Sequence, residues 1–108
     1  MRLTDKELEI MKLLWVSDEP MTATEIIKAS ENRTWREGSI YVLMNTLVKK
    51  KAVILKCYKP TSSNAARAYE PIVSAEEYLV ANIGNLIDTG VHVDITKLIK
   101  HIKSTFKK

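Results

Sequence analysis

The stretch Glu37–Lys51, EGSIYVLMNTLVKKK, decides the fold. Ile40, Leu43, Met44, Leu47 and Val48 recur at helical spacing, so one side of a helix over residues 38–50 is apolar enough to face a core. The opposite side holds Ser39, Tyr41, Val42, Asn45, Thr46 and Lys49, where a solvated helix would be dense in Glu and Lys. Three consecutive lysines, Lys49 to Lys51, close it. Its start is loosely marked: Thr34 and Glu37 have capping-box spacing, but Gly38 is a poor residue for a first helical turn.

Upstream, LTDKELEIMKLLW places Thr4 three residues before Glu7, a spacing at which each side chain satisfies an orphan amide of the first turn. Leu8, Met11 and Trp15, flanked by Ile10 and Leu14, form one apolar stripe, and SDEP ends the helix because a residue before proline is pushed out of helical geometry. MTATEIIKAS repeats the device with Thr22 and Glu25, predicting a short helix from about Ala23 to Ser30. Downstream the grammar changes. AVILKCY and RAYEPIV are extended, β-prone runs separated by the loop residues KPTSSNAA, which reads as a two-stranded hairpin. Ser74 and Glu77 then open a fourth helix that DTG ends, and Asp94 caps a fifth, ITKLIKHIKSTFKK. Helix, helix, helix, hairpin describes a mainly α winged helix-turn-helix with a small antiparallel β-wing. The expected division is residues 1–73 for the winged helix and 74–108 for a C-terminal helical dimerisation region.

Composition narrows the class. With 108 residues, 45% hydrophobic and 28% charged, the chain suits one domain with a modest core. The net charge of +4 is unevenly spread: residues 35–73 carry seven basic and two acidic groups, whereas residues 1–34 carry five and seven. The excess therefore sits with the deciding helix and the hairpin, where it reads as a solvated positive face or as a polyanion-binding one. No apolar run approaches the ~18 residues of a membrane span, and the N-terminus lacks a signal-peptide pattern, so a cytoplasmic protein without a membrane partner is expected. Cys57 stands alone. His92 and His101 have no nucleophile arrangement near them, and His92 with Asp94 makes a poor metal pair. No enzyme activity, metal or cofactor is expected.

A helix that reads DNA must bring its outer face close to base edges, so short hydroxyl, amide and apolar groups suit its middle and cations suit its flanks. Asn45 matches the donor and acceptor of adenine, and Val42 matches a thymine methyl. Ser39 and Thr46 suit bases or phosphates, and Tyr41 suits phosphate or sugar. Arg36 before the helix, Lys49 and Lys50 at its end, and Lys59 and Arg67 beside the hairpin loop suit phosphates on both sides of a groove. Each residue taken singly also has a plainer reading, Asn45 as a surface residue, Val42 as cover for the edge of the core and Tyr41 as packing on the neighbouring helix, and the terminal lysines complement the helix dipole without any DNA.

The quoted stretches LTDKELEIMKLLW, TATEII, LMNTLVKK and RAYEPIVSAEEYL resemble the penicillinase-repressor family of bacterial transcription regulators, the BlaI, MecI and CopY type, over roughly residues 3–80. The resemblance implies a homodimeric winged-helix repressor of double-stranded DNA with a palindromic operator, helix 38–50 in the major groove, and C-terminal helices forming the dimer interface. Ile83, Leu86 and Ile87 in the fourth helix and Leu98, Ile99, Ile102 and Phe106 in the fifth are the expected interface residues. Such a stripe is hard for a small monomer to bury alone. Folding back onto its own domain and lying on a membrane surface are the alternatives. Departures limit what carries over. Arg36 stands where the family favours Ser or Thr, Tyr41 and Thr46 where it favours basic residues, and Lys51 where it often has glycine. The paired Cys-x-Cys of copper sensors and the Asn-Phe bond cleaved in β-lactam signalling do not occur. The inducing signal is therefore open, a separate sensor protein remains a possible partner, and a winged-helix adaptor for protein contact is the rival reading.

Overall fold

The computed structural model describes residues 1–106; Lys107 and Lys108 lie outside it. Helix α1 (Asp5–Val16) opens with the expected capping box: Thr4 Oγ1 accepts from the Glu7 amide at 3.2 Å and Glu7 Oε1 from the Thr4 amide at 2.7 Å. Helix α2 (Ala23–Ala29) repeats it with Thr22 and Glu25, at 3.2 and 2.9 Å. A single 3-10 turn (Glu37–Ser39) then leads into α3 (Ile40–Lys49). The wing is β2 (Val53–Pro60) and β3 (Ala65–Pro71), followed by α4 (Ala75–Asp88) and α5 (Ile95–Thr105). Ser74 with Glu77 and Asp94 with Lys97 form the two predicted caps of the last helices.

Four details depart from the sequence reading. The sheet has three strands in the order β1-β3-β2, because β1 (Met21–Thr22) pairs antiparallel with β3, Met21 opposite Tyr69 and Thr22 opposite Ala68. A two-residue strand has no periodicity to detect, and Thr22 was already accounted for as a cap. The Thr34–Glu37 box does not form. Thr34 instead directs its amide and hydroxyl to the Glu9 carboxylate on α1, while Glu37 pairs with Arg33 at 3.1 Å. The regular helix accordingly begins at Ile40, not residue 38. Val48 is 41% exposed rather than in the core, since it lies at the edge of the stripe in the last turn.

Ile10, Met11 and Leu14 of α1, Ile26 of α2, and Ile40, Met44 and Leu47 of α3 form the centre of the core, joined by Trp35 and Val53. Burial of these side chains at ~25 cal/mol per Å² is the main favourable term of the fold. The core is closed from the far end of the wing. Trp15 Nε1 donates to the Val73 carbonyl at 2.8 Å, the Tyr78 ring lies 6.0 Å from the Trp15 ring, and the Tyr78 hydroxyl accepts from the Leu3 amide at 3.3 Å. One compact unit therefore runs from Met1 to Tyr78, and a second begins at Leu79. In the second, α5 buries none of its residues, and Leu86, Ile87, Ile99, Ile102 and Phe106 are exposed.

Helix α3 ends in a Schellman turn. The Lys51 amide donates to the Val48 carbonyl and the Ala52 amide to the Leu47 carbonyl, both at 3.0 Å, with Lys51 at φ 62°. A side chain in that left-handed region is strained by about 1–2 kcal/mol. This explains why the resembling family often has glycine there. Replacing Lys51 by Gly is expected to raise stability by roughly 0.5–1 kcal/mol, glycine's greater unfolded-chain freedom offsetting part of the relief. A rise in the urea midpoint at constant slope is the check.

Candidate nucleic-acid interface

The two sides of α3 separate cleanly. Ile40, Met44 and Leu47 are buried, which turns Tyr41 and Val42 to solvent at 67% and 68% exposure, with Asn45 and Lys49 exposed beside them. Arg36, at the head of the preceding 3-10 turn, is exposed, and Ser39 is half-buried at its end. Half-buried Thr46 Oγ1 donates to the Val42 carbonyl one turn back at 2.9 Å, so its proton is committed and it can serve a ligand only as an acceptor.

The wing completes the surface. Thr22, Thr24, Tyr41, Asn45 and Arg67, from α2's first turn, α3 and β3, line one crevice of about 380 Å³ floored by Met44 and Tyr69. Tyr41, Asn45 and Arg67, chosen from the sequence for separate reasons, thus converge. Thr24 and Thr61 join them without having been singled out; a small hydroxyl at a helix start or loop tip gives no signal of its own.

Two of the expected cations are engaged within the fold. Lys50 Nζ lies 2.6 Å from Glu7 Oε1 and donates to the Arg2 carbonyl at 2.9 Å. Burial, the largest influence on Glu7, would raise its pKa, yet the Lys50 hydrogen bond and the Thr4 amide together hold the carboxyl below its ordinary value. Lys50 is therefore a strut between α3 and α1. Lys59 Nζ reaches both oxygens of Glu25 at 3.0 and 3.3 Å. The Thr22 amide first, and the Lys59 ammonium second, keep Glu25 ionised below its usual range. This pair is open to water and easily exchanged for another anion. Lys49, Lys51, Arg36 and Arg67 have no carboxylate partner among the described residues.

A three-helix core with a hairpin wing and a solvent-facing third helix is the architecture of winged-helix DNA-binding proteins. The penicillinase repressor family model matches residues 3–106, nearly the whole chain. The chain belongs to the penicillinase repressor family of DNA-binding transcriptional regulators. None of the curated proteins compared with it gives a match. No helix among the described residues is long and apolar enough to cross a membrane.

Proposed function

We propose that the protein is a homodimeric repressor that occupies a palindromic operator by inserting α3 into the major groove. The observation that carries this reading is the solvent-facing position of Tyr41, Val42 and Asn45 on a helix whose other side buries Ile40, Met44 and Leu47. Asn45 reads adenine and Val42 meets a thymine methyl. Tyr41, Ser39 and Thr46 contact the adjoining sugar, phosphate or base edge. Arg36, Lys49, Lys59 and Arg67 hold the strands on either side, while Lys50 is engaged by Glu7 and the Arg2 carbonyl. Two protomers joined through α4 and α5 place their reading helices in successive major grooves, about 34 Å or a multiple of that apart.

Selecting random duplexes with the purified protein at two salt concentrations tests this. An enriched inverted repeat, with affinity falling steeply as salt rises, is the expected result. No enrichment and no salt effect would point to the adaptor, the second reading that the exposed Tyr41–Val42 pair favours. Two substitutions refine the assignment. Asn45→Ala should cost about 1–3 kcal/mol on the selected site and almost nothing on random DNA. Lys49→Ala should weaken binding to all sequences alike and reduce the salt slope by about one. Equal losses on both kinds of DNA for Asn45→Ala would remove it from the readout.

A further inference from the structure

The crevice beside α3 has a composition that a phosphate strand does not need. Its apolar surface comes from the small side chains of Ala23, Ala65 and Ala66, with Met44 at 2% exposure and Tyr69 at 9% closing the bottom and showing only their edges. Among the lining residues Arg67 carries the one formal charge, and it has no carboxylate partner among the described residues. Thr61 is engaged in the Asn64 turn and Thr22 Oγ1 accepts from the Glu25 amide in the α2 cap, which leaves its proton free, so Arg67, Tyr41, Asn45, Thr24 and the Thr22 hydroxyl proton are the polar groups converging here. Contact with a DNA strand is made by several cations at a solvated surface. An apolar floor with a few convergent polar groups and one cation is instead the make-up of a small-molecule site. Its volume of about 380 Å³ lies at the small end of the ~300–1,000 Å³ range of small-ligand sites.

We propose that this crevice binds a small organic monoanion with an apolar or aromatic body, its carboxylate on Arg67 and its body against Ala23, Ala65, Ala66 and the edge of Tyr69, and that this ligand releases DNA. The second half rests on the DNA-binding reading above, because Tyr41, Asn45 and Arg67 cannot serve both ligands at once. By linkage, a ligand present at ten times its own dissociation constant then weakens DNA binding about tenfold.

Benzoate is the probe, with benzamide as its neutral counterpart, added to the full-length protein carrying methyl-labelled alanine. Without DNA, saturable shifts are expected at Ala23, Ala65 and Ala66 and not at Ala75 or Ala81 on α4. Arg67→Gln should weaken benzoate binding about tenfold or more, Lys28→Gln should leave it unchanged, and benzamide should bind far more weakly than benzoate. Absence of saturable shifts, or benzoate binding that survives Arg67→Gln undiminished, overturns the site. Those measurements need no operator, so they stand even if selection yields no inverted repeat and the repressor reading fails. Where an operator is found, a benzoate-saturated protein that binds it unweakened overturns the release.

Discussion

Lys50→Met will lose about 2–3 kcal/mol of folding stability at pH 7, read from urea denaturation. Glu7 is 2% exposed and the Lys50 ammonium is its countercharge, so removal of the cation leaves a carboxylate inside the α1–α3 contact without a partner. Breaking a buried pair costs about 3–5 kcal/mol; the Lys50 side chain is 30% exposed, so water recovers part of that. The pH dependence identifies the cause. In the native protein the Glu7 pKa lies below its unfolded value of about 4.5, so its contribution is present above that value and fades as pH falls through the lowered one. In the variant, burial acts without its main opponent and the folded pKa rises. The difference between the two proteins therefore narrows as pH drops from 7 to 3. A loss caused merely by poorer packing would be the same at both. Adding Glu7→Gln to Lys50→Met should recover most of the stability, since the amide still accepts from Thr4 and no charge is stranded. A pH-independent loss, or no recovery in the double variant, would refute the strut.

Lys50 also marks where sequence reading stops. Capping boxes, stripes and turn residues are local, and the caps at Thr4, Thr22, Ser74 and Asp94 form where their spacing places them. The core side of α3 follows from a period of 3.6, apart from Val48 at its margin. Long-range polar pairs leave no such trace. Nothing in a run of three lysines says that the middle one reaches 43 residues back to Glu7 while its neighbours face solvent, and Glu7 looks like an ordinary cap residue. Thr34 is the same case, diverted from a plausible local cap to Glu9 across 25 residues. The solvent-facing side of α3 was legible because it is the complement of the core stripe. The crevice was not, because it needs the register of β3 against β1 and β2 to bring Arg67 beside Tyr41.

The largest functional effect is expected from Ile99→Glu combined with Ile102→Glu. Both residues are exposed on α5, none of whose residues is fully buried, and each is part of the apolar stripe of the proposed dimer contact. Two carboxylates placed there must desolvate before the protomers can meet, and two copies of the stripe would bring like charges together. The native protein should sediment as the proposed dimer and the variant as a monomer. Operator affinity should then fall by about 10²–10⁴, because joining two reading heads makes the second half-site contact intramolecular. Affinity for a single half-site should not change, since α3 and the wing are untouched. Both tryptophans, Trp15 and Trp35, lie in the Met1–Tyr78 unit, so tryptophan fluorescence follows the unfolding of that unit and separates loss of assembly from loss of fold. A variant that remains dimeric would remove α5 from the interface. A monomeric variant that held the full operator as tightly as the native protein would show that one winged helix suffices, and the symmetric repressor would have to be abandoned.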